Sequence, residues 1–208
     1  MKISFVVPAH NQEATIGRCL DAIVRTIDHS HIAAEIIVVD NASNDHTPAL
    51  AKTRKYTRII EEPLKGHHRA RRTGFAAAAG ELIAHIEPNV ILPQGWISNV
   101  LDIFADPQIA IASGPLLYEE MPTHAAIIAR LYYGLGFLHH FFVQHVLRVG
   151  AMIQDGNFVI RSEILKKIDA ADEDNTVIAQ RASKEGSVAW RSSLTVRGIM
   201  SVNTDARY

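Results

Sequence analysis

Short apolar runs alternate with amphipathic segments along the first half of the chain. Between the runs, apolar residues recur at helical spacing, as they do from Ile16 to Ile27. A strand–helix alternation of this kind favours a mostly parallel sheet with helices on both faces. The runs predicted to be strands are Ile3–Val7, Glu35–Val39, Arg58–Glu61, Leu82–Ile86 and Ile109–Ser113.

Local signals predict where the helices between these strands begin. Asn11 is suited to cap the first helix, and Thr47-Pro48 is typical of a helix start. Gly66 precedes an alanine-rich helix, and Pro93 is predicted to open the helix after the fourth strand.

The second half of the chain is less regular and is dominated by one long amphipathic segment, Ala125–Val149. Its apolar stripe is expected to pack in the core. A second interpretation is that the stripe rests on a membrane surface or receives a lipid-linked acceptor. Further elements are predicted at Asn157–Arg161 and Ser187–Trp190 as strands, and at Ser162–Ile168 and Glu173–Glu185 as helices.

Composition narrows the class of protein. The chain has 208 residues, and its 21 basic and 22 acidic side chains give a net charge of −1, so we expect no nucleic-acid partner. Cys19 is the only cysteine, which excludes an internal disulfide and is compatible with a reducing cytoplasm. The few apolar residues before Pro8 are too short for a signal peptide, and no run of 18 uncharged apolar residues occurs.

Polar residues gather where the predicted strands end. In open α/β sheets, ligands bind beyond the carboxyl ends of the strands, so these loops predict the site. The loop residues in question are His10, Asn11 and Glu13 after the first strand, Asp40, Asn41 and Ser43 after the second, and Glu87 and Asn89 after the fourth.

Two common nucleotide-binding motifs are missing from the sequence. The loop Pro8–Glu13 contains no glycine that would allow a pyrophosphate to approach the backbone, which argues against a dinucleotide-binding domain. No Gly-x-x-x-x-Gly-Lys-Ser/Thr motif occurs, so a P-loop is excluded as well.

Five segments in order resemble the inverting glycosyltransferase family 2. They are Val6–Glu13, Ile37–Thr47, Gly66–Gly74, Glu87–Trp96 and Gly156–Arg161, with Glu173-Asp174-Asn175 further on. The resemblance covers nearly the whole chain. It implies a single α/β domain over residues 1–208 with a mostly parallel, mixed central sheet and helices on both faces, the nucleotide-diphospho-sugar transferase or GT-A fold. Residues 1–115 would form the nucleotide-sugar-binding half and residues 116–208 the acceptor-side half.

The resemblance also implies an activity, the transfer of a sugar from a nucleotide-diphosphate donor to an acceptor hydroxyl with inversion. We expect a cytoplasmic enzyme, with peripheral membrane contact as an option. The donor base, the acceptor and the oligomeric state are left open by the resemblance. Donor contacts would come from Pro8, Ala9, Asn11, Glu13, Asp40, Asn41, Ser43, Arg71, Gly156 and Asn157.

Each of the donor-site roles has a simpler alternative. The carboxylate of Asp40 can accept from a base imide or a ribose hydroxyl, but it can equally cap the turn that follows. Asn11 and Glu13 suit the first turn of a helix as well as a donor site. Arg71 would face the diphosphate with a permanent planar charge, while its basic neighbours can form a solvated face.

Asp174 matches the position of the family's catalytic base. It would take the proton of the acceptor hydroxyl as that oxygen attacks the anomeric carbon, and Glu173 would orient it or bind the acceptor. The alternative is an acidic helix start, because Asp172, Glu173 and Asp174 form a run that complements a helix dipole.

The fourth segment departs from the family pattern Asp-x-Asp, whose last carboxylate binds a divalent metal. Here the residues are Glu87-Pro88-Asn89, and Asn89 offers only a neutral oxygen to Mn²⁺ or Mg²⁺. Three outcomes are open: weak metal binding, catalysis by basic residues without metal, or loss of activity. The alternative function is therefore a non-catalytic nucleotide-sugar-binding module. A nucleotidyltransferase is disfavoured, since it should carry a glycine-rich basic loop after the first strand.

Overall fold

A seven-stranded sheet forms the centre of the computed structural model, which describes residues 1–119, Ile128, Leu131, Leu135, 153–169 and 174–200. The strand order is β3-β2-β1-β4-β8-β6-β9. These strands are β1 (Ile3–Ala9), β2 (Ala34–Asp40), β3 (Thr57–Glu61), β4 (Leu82–Ile86), β6 (Ile109–Ser113), β8 (Asn157–Arg161) and β9 (Ser187–Trp190). All seven predicted strands are confirmed.

The sheet is mixed because one strand runs against its neighbours. Strands β1 to β4 are parallel, whereas β8 is antiparallel to both β4 and β6. A smaller sheet with the order β5-β10-β7 lies beside it. Its strands are β5 (Val90–Ile91), β7 (Leu116–Tyr118) and β10 (Val196–Gly198).

Helices pack on both faces of the large sheet. They are α1 (Ile16–Ser30), α2 (Thr47–Lys52), α3 (His67–Ala77), α4 (Trp96–Phe104), α5 (Ser162–Ile168) and α6 (Asn175–Ala182). Alternate residues of β1 point to opposite faces of the sheet. Phe5 packs with α1 and α4 on one face, and Val6 packs with α3 on the other. Cys19 is fully buried on the first face, as its place on an apolar helix stripe predicts.

The ends of the helices differ from the predictions in three places. The cap predicted at Asn11 is wrong, because α1 begins at Ile16 and Asn11 has a left-handed φ of 51° with its side-chain oxygen bound to Asn44. Helix α4 begins at Trp96, three residues after Pro93. Helix α6 is shorter than the predicted Glu173–Glu185, and Glu173 itself lies outside the described residues.

Only three residues of the predicted stripe in Ala125–Val149 belong to the described part of the chain. Ile128, Leu131 and Leu135 are helical and 62–67% exposed, so the prediction that the stripe packs in the core is wrong for them. The rest of that segment lies outside the described residues. Among the helices that the structure describes, none is long and apolar enough to cross a membrane.

Candidate active site

The loops that follow β1 and β2 are joined by hydrogen bonds at the carboxyl ends of the strands. The Asn11 backbone N–H donates to Ser43 Oγ (3.1 Å), and Asn11 Oδ1 accepts from the Asn44 N–H (2.8 Å). A carboxylate oxygen of Glu13 accepts from the His46 N–H at 3.1 Å. Partners more than 30 residues away in sequence therefore hold these residues, which explains why local helix capping does not use them.

The side chain of Asn41 joins the loop after β2 to the loop between β3 and α3. Its fully buried amide donates to the carbonyls of Glu62 and Leu64, and its Oδ1 accepts from the Gly66 N–H at 2.8 Å. The carboxylate of the preceding Asp40 accepts a hydrogen bond from the Ser43 N–H at 3.2 Å. This bond caps the turn, as the simpler alternative to a donor-binding role predicts. The predicted donor contacts of both residues stay predictions, as do those of Pro8 and Ala9, which are buried in β1.

Four side chains that could hold a metal ion converge beside these loops. They are His67 at the start of α3, His85 in β4, Glu87 after β4 and Asp155 before β8. His85 Nε2 lies 3.3 Å from Glu87 Oε1 and 3.4 Å from Asp155 Oδ1, and His67 Nε2 lies 3.6 Å from Glu87 Oε1. We refer to these four residues as the His–carboxylate cluster.

Burial and neighbouring charge oppose each other in this cluster. Burial lowers the pKa of His67. Burial also disfavours charge on His85, yet the carboxylates of Asp155 and Glu87 raise its pKa above the ordinary value. Asp155 is the reverse case, since burial alone would raise its pKa but His85 holds it well below the usual range. The cluster therefore favours the ionised carboxylate of Asp155 beside a positive charge.

Gly156 is required beside Glu87. It has a φ of 69°, and a Cβ added there would lie 2.7 Å from Glu87 Cβ and closer still to its Cγ. The next residue, Asn157, is buried and donates from Nδ2 to the carbonyls of Gly114 and Leu194, so it ties β8 to the chain around it. The donor-binding roles predicted for Gly156 and Asn157 stay predictions.

Arg71 and Asp174 lie next to each other at this edge of the sheet. Arg71 is 1% exposed and donates to Asn175 Oδ1 at 2.8 Å, and it also contacts His68. His68 Nε2 lies 3.4 Å from Asp174 Oδ1. The side chain of Asp174 is 78% exposed and makes no capping hydrogen bond to α6, so its carboxylate faces solvent.

Asn89 is bonded to the segment that follows β10. Its Nδ2 donates to the Ile199 carbonyl at 3.3 Å, and its own carbonyl accepts from the Ile199 N–H. Of the two residues predicted as metal ligands, only Glu87 belongs to the cluster. The sequence prediction did not include His67, His85 or Asp155 as ligands. The one local signal was a histidine within the apolar strand β4.

The fold and the site together define an α/β protein whose polar loops gather beyond the carboxyl ends of its parallel strands, where such sheets bind ligands. A family model described as glycosyl transferase family 2 matches residues 4–169. The chain belongs to this family.

Relatives of the chain are consistent with this membership. The chain is 26% identical over 117 residues to glycosyltransferase AglE of Haloferax volcanii, which is 54% of this chain and 38% of that protein. Its fold matches the mannosyltransferase PcManGT from Pyrobaculum calidifontis, solved with GDP-Man and Mn²⁺, with a TM-score of 0.72 at 20% identity. The match covers 98% of this chain and 58% of that structure.

A second solved structure has the same fold. S. aureus TarS 1–349 in complex with UDP-GlcNAc matches with a TM-score of 0.72 at 14% identity, covering 100% of this chain and 62% of that structure. The chain thus spans less than two thirds of the length of all three proteins.

Proposed function

We propose that this chain transfers a sugar from a nucleotide-diphosphate donor to an acceptor hydroxyl with inversion. The observation that carries the proposal is the position of Asp174. Its exposed carboxylate lies beside His68 and Arg71, at the edge where β1, β2 and β4 end. GDP-Man and UDP-GlcNAc in the structures with the same fold support a donor of this class.

In the proposed reaction, the acceptor oxygen attacks the anomeric carbon while Asp174 takes the hydroxyl proton. The bond between that carbon and the diphosphate oxygen breaks, and the nucleoside diphosphate leaves with the electron pair. An attack from the face opposite to the leaving group inverts the configuration. Glu173 would orient Asp174 or bind the acceptor.

Donor binding would rely on the loops after β1 and β2. Asp40 would accept from the base imide or the ribose hydroxyls, with Asn11, Glu13 and Ser43 alongside. Arg71 would offset the diphosphate charge. The guanidinium of Arg71 donates to Asn175, which directly follows Asp174. The start of α6 therefore positions both the proposed base, Asp174, and the positive charge of Arg71.

The His–carboxylate cluster fits a divalent cation, because its two carboxylates provide negative charge and its buried nitrogens have no hydrogen-bond partner in the described part of the chain. A divalent cation held there would offset charge on the leaving diphosphate. Of the two metal ligands predicted from the sequence, Glu87 and Asn89, this proposal keeps Glu87. The metal-binding role predicted for Asn89 stays a prediction.

The first test measures donor binding and turnover separately. Calorimetry with UDP, GDP and dTDP, with and without Mn²⁺, identifies the base. Release of nucleoside diphosphate into water, followed with GDP-Man and UDP-GlcNAc, needs no identified acceptor. We expect Asp174→Asn to keep donor affinity and to lose about 10²–10⁴-fold in release, the usual contribution of a general base.

Asp102→Asn is the matched control, since Asp102 is an exposed residue of α4, on the opposite face of the sheet from α6. Equal turnover in the two variants would refute the role of Asp174. If the wild-type protein binds a donor and releases nothing, the departure at Asn89 favours the non-catalytic binding module instead.

A further inference from the structure

The His–carboxylate cluster is assembled by the chain alone, from separate parts of the fold. Its ligand atoms all lie within 4.8 Å of one another, although Asp155 is far in sequence from the other three. The pairing of β4 with β8 brings them together, since His85 lies opposite Phe158 and Ile86 opposite Asn157. Asp155 then lies just before β8, beside Glu87.

Three of the spacings between ligand atoms of the cluster match those around one shared ion. The three contact distances are 3.3, 3.4 and 3.6 Å. Around a tetrahedral ion with bonds of about 2.1 Å, neighbouring ligand atoms are separated by about 3.4 Å. The side chains therefore stand as far apart as ligands of a shared ion, and farther than partners in a good hydrogen bond.

Several buried polar atoms of the cluster have no hydrogen-bond partner among the described residues. His67 Nε2, His85 Nε2 and Glu87 Oε1 are buried without a hydrogen-bond partner among the described residues, and His85 is 0% exposed. Buried polar atoms are nearly always satisfied in folded proteins. A single cation would satisfy these atoms at once.

The surroundings of the cluster hold its members in place. Gly156 leaves room for the Glu87 side chain, as its own Cβ would collide with it. Asn175 bonds Asp155 and accepts from Arg71, so the carboxylate is oriented by an outer layer of polar groups. Such outer partners are typical of metal sites.

We propose that His67, His85, Glu87 and Asp155 form a resident site for a divalent transition-metal ion of the Zn²⁺ or Co²⁺ type, which binds without nucleotide. Two imidazole nitrogens select such ions over Mg²⁺, which prefers oxygen ligands. Two carboxylates neutralise the ion. This site goes beyond the proposed sugar transfer, because it needs no diphosphate to complete it.

The test uses untagged, metal-free full-length protein with no nucleotide present. Co²⁺ is titrated and followed by its visible ligand-field bands, and Zn²⁺ and Mg²⁺ are titrated by calorimetry. We expect one Co²⁺ per chain with the bands of a four-coordinate site, displacement by Zn²⁺, and much weaker binding of Mg²⁺. His67→Gln and Asp155→Asn should each weaken Zn²⁺ binding by at least about 100-fold, the upper end of what losing an outer partner costs.

His46→Gln is the matched control, because His46 lies 3.0 Å from the Glu13 carboxylate in an exposed pair outside the cluster. It should leave Zn²⁺ affinity unchanged. Circular dichroism of each metal-free variant shows whether it is folded. The proposal is overturned if folded wild-type protein binds no Zn²⁺, if Mg²⁺ binds as tightly, or if the two cluster variants bind as the control does. None of these results depends on whether the chain binds or cleaves a nucleotide sugar.

Discussion

Replacing Glu35 by Gln tests how much one carboxylate contributes to the stability of the sheet. Glu35 accepts from Ser4 Oγ at 2.7 Å and from the Ala79 N–H at 3.0 Å, and it pairs with Lys2 and Arg58. Burial alone would raise its pKa, but these four donors lower the pKa from 4.5 to about 2. The carboxylate thus joins β1, β2, β3 and the residues after α3.

The size of the effect follows from that pKa. A fall from 4.5 to about 2 corresponds to roughly 3 kcal/mol at about 1.4 kcal/mol per pKa unit. Lys2 and Arg58 are about two-fifths exposed, so solvent screening reduces the contribution to about 2 kcal/mol. For a chain of this length, that loss lowers the melting temperature by about 4–8 °C.

The pH dependence has a fixed sign. Because the folded pKa is depressed, the stabilisation is complete above pH 4.5 and is lost as the pH falls towards 2. By pH 3.5, roughly two-fifths of the difference between wild type and Glu35→Gln should be gone. Urea unfolding between pH 7 and pH 3.5 measures this difference.

Glu61→Gln is the control, since Glu61 is an exposed residue at the end of β3. Its free energy of unfolding should stay within about 0.5 kcal/mol of wild type. The reasoning is refuted if Glu35→Gln behaves like this control at pH 7, or if its deficit does not change with pH.

Two further substitutions test the loops of the site. Gly156→Ala should destabilise the fold by about 1–3 kcal/mol and displace Glu87. Gly95→Ala is the control, because Gly95 has a similar φ of 81° and nothing within 4 Å of an added Cβ, so this substitution reports backbone strain alone. Urea unfolding compares the two, and equal losses would show that the collision with Glu87 is unimportant. Asn41→Ala should cost about 3 kcal/mol, because three backbone groups lose their hydrogen-bond partner. Thermal unfolding beside the exposed Asn44→Ala checks this, and a loss no larger than in that control would contradict it.

The strands could be predicted because their apolar runs are long and sharply bounded. The direction of β8 could not be predicted from its pattern, since a buried strand has the same composition whichever way it runs. It is the antiparallel pairing of β8 with β4 that brings Asp155 and Gly156 to Glu87.

The gathering of polar residues at the strand ends could be predicted, but the members of the His–carboxylate cluster could not. A histidine in an apolar strand, such as His85, looks the same in sequence whether it packs in a core or faces two carboxylates. The cap predicted at Asn11 failed for a related reason. Its partners Ser43 and Asn44 come from another loop, which no local pattern identifies.

The absence of a side chain at Gly156 links its evolution to that of residue 87. While Glu occupies position 87, any larger residue at 156 meets its Cβ and Cγ, so a change at 156 costs more than the positive φ alone. Replacing Glu87 by Ala would remove the collision with Cγ, but the collision with Cβ at 2.7 Å and the strain of the positive φ would remain. Positions 87 and 156 should therefore change together in lineages of this chain, because the residue at one position alters what the other tolerates.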